Sequence, residues 1–318
     1  MISVIIPNFN RAKALSKTLE SLLIQSDNSA AAEHIVVDDG STDESVTVIR
    51  EFQAKSQIHL NLIRHENKGP AAARNGGAMA SSGDVLLFWD SDMIAEKQLL
   101  YHHCRIQSEE TPYLVAGARR FWPPAMATSF SRNMNSDRLD EDQYERGTPS
   151  FQEIFSSNFS IRKDLFWEIG GFDESLRAYE DIDFSYRAMK AGTELVFCRD
   201  AIGYHNHAMT LEEASRQQEQ YQKYAAAFLR KHPELIGEIR TLVDKEPVRW
   251  SSDRPGLVLR KLFHQLLAIR PVVGSTTKLA KALESYQFNE RFMRRLYWLV
   301  LDAYQLRGYR EGLKLHPH

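Results

Sequence analysis

Two pairs of carboxylates stand out from their surroundings. In FWDSDM (88–93) the apolar run VLLFW stops at Asp90 and Asp92. Side chains two apart at a strand end point to the same side. Carboxylates at the edge of an apolar interior are costly unless something positive meets them. Hard oxygen donors with open positions suit Mg2+ or Mn2+, which often bridge one or two carboxylates to a diphosphate. The second pair, Glu180 and Asp181, follows the turn GGFDE. Adjacent acids repel, which raises a pKa, and a carboxylate poised this way suits general-base work on a hydroxyl. Each pair also has a plainer reading, because acids are favoured at helix starts.

Further groups could serve the same chemistry. Asp38 and Asp39 precede Gly40-Ser41. A carboxylate there could accept from a base N–H or a ribose hydroxyl, or simply make a turn and cap. Gly69 and Pro70 open a helix of small residues, which lets a backbone or a nucleotide approach closely. Arg74 on that helix could reach a phosphate, position the acidic pair or make a surface salt bridge. His205 and His207 flank Asn206 and share a face if the stretch is extended. One of them could ligate the metal; otherwise they are a loop pair.

These groups need elements to hold them. SVIIP (3–7), HIVVDD (34–39), LNLIR (60–64) and DVLLFW (84–89) read as strands. Between them lie helical stretches from Ala12 to about Gln25, from near Thr42 with Ser41 as cap, and from Pro70 to Ala80 with Pro in the first turn. The alternation gives an α/β fold: a mostly parallel sheet with helices on both faces. Ligands then bind beyond the carboxyl ends of the strands. Three strands end in polar groups, at Asn8 and Asn10, at 38–41, and at Asp90-Ser91-Asp92. They should converge on one crevice. Residues 122–149 read as a long irregular loop, a candidate lid or an unstructured insertion. A helix opens near Glu180 and ends at Gly192, and TELVFC (193–198) is another strand.

After Leu211 the pattern is helical. The stretch 256–270 sets Leu259, Leu262, Phe263 and Leu266 on one face, and 291–310 repeats the theme with Phe292, Leu296, Leu299, Ala303 and Leu306. Packing inside a bundle or a homo-oligomer interface explains such stripes, with contact to an anionic membrane surface as the alternative. The expected division is 1–210 and 211–318.

Bulk numbers fit this picture. The 318 residues are 43% hydrophobic and 26% charged, ordinary for a globular chain. No run of eighteen apolar residues is present, so no membrane span is expected. MISVIIPNFN lacks a basic n-region and cleavage site, so no signal peptide is read. Cys104 and Cys198 show no metal spacing and suit a reducing compartment. The net charge of −2 divides into −9 for 1–210 (21 Lys and Arg against 30 Asp and Glu) and +7 for 211–318 (19 against 12). No recognised motif accompanies that basic surplus, so nucleic acid is not an expected partner.

Taken in order, SVIIPNFNR, VDDGSTD, NKGPAAARNGG, FWDSDM, SNFSIRK, GGFDE, YEDIDFSYR and YHNH resemble a family 2 glycosyltransferase with the GT-A fold over about 1–210. The resemblance implies that Pro7 and Asn8 line the nucleotide pocket, with Asn10, Gly69 and Ser91 beside the donor. It implies that Asp39 meets the uracil or ribose, with Asp38 next to it. Arg74 corresponds to a basic residue near the diphosphate. Asp90 and Asp92 correspond to a DxD metal motif, and Asp181 to the base of inverting members, with Glu180 as its neighbour. His205 corresponds to a late metal-binding histidine, with His207 competing. The implied enzyme moves one sugar from a nucleotide-sugar, UDP-sugar being favoured, to a glycan, lipid-linked or protein acceptor, with Mn2+ or Mg2+. A processive-synthase signature of QxxRW type is absent. The expected place is cytoplasmic, or peripheral at the inner face of the membrane. The rival readings are a nucleotidyltransferase, disfavoured because PNFNRAKALS lacks a Gly-rich loop, and a non-catalytic nucleotide-sugar or glycan-binding module.

Overall fold

The computed structural model describes residues 1–25, 32–55, 59–135, 148–239, 241–284, 286 and 288–315. Along the chain come β1 (Ile2–Asn8), α1 (Ala12–Leu23), β2 (Ala32–Asp38), α2 (Ser45–Lys55), β3 (His59–Arg64), α3 (Pro70–Ala80), β4 (Val85–Trp89), β5 (Met93–Ala95), α4 (Leu99–Gln107) and β6 (Tyr113–Phe121). There follow α5 (Ser129–Asn135), β7 (Asn158–Arg162), α6 (Lys163–Glu168), α7 (Glu180–Lys190) and β8 (Glu194–His205). The rest is helical: α8 (Leu211–Gln222), α9 (Ala225–Lys231), α10 (Pro255–Leu267), α11 (Arg270–Glu284) and α12 (Glu290–Leu315). Two compact units result, one of 1–125 with 137–207, the other of 126–136 with 208–318.

The first unit is built on one eight-stranded sheet of order β3-β2-β1-β4-β7-β6-β8-β5. The four expected strands are the parallel half; the apolar runs of β1, β2 and β4 are buried as a central sheet requires, while edge strand β3 is half-buried. Alternate residues serve opposite faces. Val4, Ile6, Val36 and Leu87 pack in one cluster with Leu15, Leu19 and Leu22 of α1. Ile35 and Val37 pack with Ala73 of α3 on the other face. The small residues of α3 are there for close approach: a Cβ on Gly77 would stand 2.5 Å from Ile5 Cγ2.

The sheet departs from all-parallel expectation beyond β4. β7 runs antiparallel to both β4 and β6, and short β5 pairs antiparallel with the end of β8. β8 continues past 198 to His205, with an irregularity in its pairing to β6 after Gly117. Ser41 does not cap α2. Its Oγ instead accepts from Asn10 N at 2.9 Å, and Asp43 Oδ1 takes the Ser45 N–H at 3.0 Å.

The 122–149 loop is only partly a loop. Residues 123–127 form a 3-10 turn and α5 follows. Thr128 and Ser131 hydroxyls both donate to Met209 O, and Phe130 joins a buried cluster with Tyr297 of α12. This binding carries 126–136 into the second unit, so the expected single boundary after 210 becomes three, after 125, 136 and 207. The lid reading falls chiefly on 136–147, outside the described residues.

In the second unit α12 buries Leu296, Ala303 and Leu306 as a bundle helix should, while Phe292 is exposed. α10 contradicts the packing expectation: Leu259, Leu262, Phe263 and Leu266 face outward, while Lys261 and His264 are buried. Among the described residues no helix is long and apolar enough to cross a membrane. Cys104 and Cys198 are free thiols, and burial pushes both pKa values up.

Candidate functional site

The carboxyl ends of β1, β2 and β4 meet, as their parallel register requires. Asn8 Nδ2 donates to Ser41 Oγ at 3.3 Å and to Asp38 Oδ1 at 3.4 Å. Asn10 takes a left-handed φ of 52°, and its Oδ1 accepts the Thr42 N–H at 2.8 Å. Pro7 lies half-buried opposite Val37. Asp38 is fully buried. Its Oδ2 accepts from Arg64 Nε and Ser41 N, both at 3.3 Å, so this carboxylate holds the loop rather than facing a ligand. Asp39 accepts the Lys68 N–H at 2.8 Å and the Gly69 N–H at 2.9 Å, and His65 Nδ1 stands 3.0 Å away. Asp39 thereby fixes the turn that starts α3, where Gly69 at φ +97° adopts a backbone that side chains resist.

Arg74 answers the question of what meets the acids after VLLFW. Its guanidinium is 5% exposed and bonds Asp90 Oδ1 at 2.8 Å and Glu180 Oε1 at 2.9 Å. One cation on α3 thus ties the end of β4 to the start of α7. Beneath it Phe88, Phe159, Phe166, Phe172 and Phe184 form a buried ring cluster, with Arg74 5.8 Å from the Phe172 ring centroid. Such an apolar floor excludes water and strengthens every charge interaction above it. Arg11 provides a second cation: Nη1 pairs with Asp92 Oδ2. Ser91 is buried between the two acids, its carbonyl accepting from Thr18 Oγ1 at 2.9 Å.

Asp90 responds differently from the other three acids. Burial pushes the Asp90 carboxyl up, but Arg74, then Arg11 and His205, outweigh it, and its pKa falls below the ordinary range. Asp92 is raised by burial and by Asp90, against Arg11 and His207. Burial, then the Asp181 charge, pushes Glu180 up to about 7 despite Arg74. Burial also raises Asp181, against Arg74 and backbone N–H bonds. The ED pair thus holds a proton at a pH where Asp90 does not. Tyr179, just before it, is buried and held at a left-handed φ of 70°, the kind of strain that clusters at functional sites.

The late histidines arrive by strand pairing. β5 and β8 set His205 opposite Met93, and Asn206 N donates to Asp92 O at 2.9 Å. His205 acts electrostatically on Asp90, and exposed His207 on Asp92. Among the described residues no three His, Cys, Asp or Glu side chains close into a metal cage. A cation shared with phosphates does not need one. The donor chemistry fits such an ion, because Asp92 Oδ1 is buried without a hydrogen-bond partner while Oδ2 holds Arg11.

Residues without a sequence pattern complete the site. Asn75 Oδ1 accepts the Phe172 N–H at 2.9 Å, and its Nδ2 donates to Phe172 O at 2.8 Å and Glu174 Oε1 at 2.9 Å. It ties the GGFDE turn to the helix that carries Arg74. Arg187 adds bonds to Ile169 O and Gly171 O at 2.7 and 2.6 Å. Asn75 and Arg11 lay inside the quoted motifs, next to Arg74 and Asn10. Adjacency to those residues was the only signal for them.

A family model described as "Glycosyl transferase family 2" matches residues 3–170, and one described as "Glycosyl transferase family group 2" matches 98–301. The glycosyltransferase AglE of Haloferax volcanii is 31% identical over 204 residues, covering 64% of this chain and 66% of that protein. The validoxylamine A glucosyltransferase of Streptomyces hygroscopicus subsp. jinggangensis is 27% identical over 268 residues, 75% of this chain and 63% of that protein. This chain therefore spans about two thirds or less of the length of both relatives. Among solved structures, the mannosyltransferase PcManGT from Pyrobaculum calidifontis, in complex with GDP-Man and Mn2+, superposes with a TM-score of 0.63 at 17% identity. That match covers 98% of this chain and 86% of the other. TarS 1-349 of S. aureus in complex with UDP gives 0.51 at 18% identity, over 100% and 92% of the chains. These likenesses establish the α/β GT-A fold.

Proposed function

The chain belongs to glycosyl transferase family 2, and we propose that it moves a single sugar from a nucleoside-diphosphate sugar to an acceptor hydroxyl with inversion. The observation that carries this reading is the Arg74 bridge between Asp90 and Glu180, which supports a site with Asp90 on the diphosphate side and the Glu180-Asp181 pair on the acceptor side. Neighbours of the same fold hold GDP-Man with Mn2+ or UDP, which supports a nucleotide-sugar donor. UDP-sugar is the first candidate and GDP-sugar the second.

Asn8, Asn10, Pro7 and Asp39 receive the nucleoside, and the diphosphate lies toward Asp90 and Asp92. Asp92 with Asp90, joined by His205 or His207, would hold a divalent Mn2+ or Mg2+. When bound, that ion supplies neutralisation of the charge on the departing diphosphate. Arg11 is 45% exposed and long enough to leave Asp92 and turn its guanidinium to a phosphate oxygen, which suits bidentate contact. On the other side Asp181 takes the proton of the acceptor hydroxyl. The hydroxyl oxygen bonds to the anomeric carbon as the bond from that carbon to the diphosphate oxygen breaks. Attack opposite the leaving group requires base and diphosphate to flank the sugar. Glu180, clamped by Arg74, keeps Asp181 in a like-charged and apolar setting that makes it a better base.

The test is an NMR assay of transfer and hydrolysis with UDP-, GDP- and TDP-sugars, with Mn2+ and with chelator. Inverted product that depends on the metal supports the reading. Retained anomeric configuration overturns the base assignment. Metal-dependent nucleotide binding without turnover of any donor moves the chain to a non-catalytic nucleotide-sugar-binding module.

A further inference from the structure

The geometry of the second unit points to a surface that docks on an anionic lipid bilayer, and we propose that α10, α11 and the start of α12 form it. The starting observation is that α10 is turned inside out. Leu259, Leu262, Phe263 and Leu266 are 69%, 40%, 48% and 56% exposed, while Lys261 and His264 are 2% and 6% exposed. Their spacing of i, i+3, i+4 and i+7 keeps the four apolar residues on one side. The inward face is fixed by polar bonds: Lys261 Nζ donates to Asp253 Oδ2 at 2.7 Å and to Pro247 O at 3.1 Å. The helix therefore cannot roll to bury its leucines without breaking a partly buried ion pair.

The exposure extends beyond one helix. Of eighteen large apolar residues exposed among the described ones, eleven fall between 250 and 298, in less than a sixth of the chain. They include Trp250, Tyr286, Phe288 and Trp298. Scattered exposed leucines need no explanation, but a concentration of this kind marks an interaction surface. Aromatic residues with polar tips sit well where an apolar medium meets water.

Charge selects the partner. The same stretch exposes seven Lys and Arg side chains and one acid, Glu290; Arg260 and Lys281 already pair with Asp244 and Glu212, which leaves Arg254, Arg270, Lys278, Arg291 and Arg295 to face a partner. A second copy of this chain, docked face to face by two-fold symmetry, would set those cations against themselves. A nucleic acid would match the charge but leave Leu259 and Leu266 against a hydrated phosphate backbone. Anionic headgroups over acyl chains match both properties, with the cations at the headgroups and the leucines and phenylalanines at the acyl boundary. The surface lies wholly within the second unit and does not rest on the proposed transfer chemistry.

The experiment is co-sedimentation of the full chain with vesicles of phosphatidylcholine alone and with roughly a third phosphatidylglycerol, in low and high salt. The triple variant Leu259→Glu, Phe263→Glu, Leu266→Glu changes only exposed positions, and its melting curve is compared with the parent's. The expected result is binding to anionic vesicles, weakened by salt, and at least tenfold weaker in the triple variant at an unchanged melting temperature. Arg270→Gln weakens it by about fivefold, the effect of one headgroup contact. No partition onto anionic vesicles overturns the proposal, as does equal binding by the triple variant. A dimer that the triple variant dissociates, in a chain that ignores vesicles, overturns it in favour of a self-association surface.

Discussion

The acid pair after β4 and the acid pair opening α7 use the same side chains for opposite ends. Asp90 and Asp92 face two guanidiniums, and the Asp90 carboxyl is held below its ordinary pKa, while burial and the Asp90 charge raise Asp92. Glu180 and Asp181 share one of those guanidiniums, sit over the phenylalanine cluster and are pushed up. In the proposed roles the first environment keeps Asp90 anionic beside a cation, whereas the second pair accepts a proton. Arg74 belongs to both, so the contrast between Asp90 and the ED pair comes from burial, like charge and the added pull of Arg11 on Asp90.

The contrast is broken most sharply by Asp181→Asn. It removes the proposed proton acceptor, and kcat is expected to fall by about a thousandfold, while nucleotide affinity measured by calorimetry stays within about twofold. An equal loss from Glu180→Gln would exchange the two roles. Next comes Arg74→Gln, which leaves buried Glu180 and half-buried Asp90 without their cation. A destabilisation of about 3 to 5 kcal/mol in urea unfolding is expected, and a change under about 1 kcal/mol would mean that the bridge is not formed in solution.

pH sharpens the comparison. The base must be ionised, and burial raises the Asp181 carboxyl, so the rising limb of kcat/KM should lie above the ordinary carboxylate range. Glu180→Gln removes a like charge beside Asp181 and should move that rising limb to lower pH. The same group affects stability with a definite sign. Between its ordinary 4.5 and about 7 the folded state keeps a proton that the unfolded state has released. Its contribution to stability therefore falls as pH rises through that window, and Glu180→Gln flattens the slope of ΔG against pH there. The smallest effect belongs to Arg11→Ala. Freeing Asp92 from an exposed ion pair worth at most about 1 kcal/mol should lower the half-saturating Mn2+ concentration by a fewfold in the absence of nucleotide.

Much of this was legible in the residue pattern. α3 begins at Pro70 and ends at Ala80, where the proline and the small residues said it would. The parallel strands lie where the apolar runs lie. What was not legible depended on partners far away in sequence. Three-residue β5 exists because the tail of β8 pairs with it, and that pairing, invisible in either segment alone, brings His205 beside the acids. Arg11 and Asn75 carry no pattern, since a lone cation or amide acquires meaning only from what it reaches. α10 shows the limit of periodicity most plainly. Spacing identified the apolar stripe, but the bonds of Lys261 decided that the opposite face is buried.

The most direct test of the two-pair account is nucleotide binding by calorimetry, with and without Mn2+, in the parent chain, Asp92→Ala and Asp181→Asn. The account predicts Mn2+-dependent binding that Asp92→Ala abolishes and Asp181→Asn leaves intact, together with loss of transfer in both. Intact Mn2+-dependent binding in Asp92→Ala, or its loss in Asp181→Asn, would contradict the division of labour between the pairs.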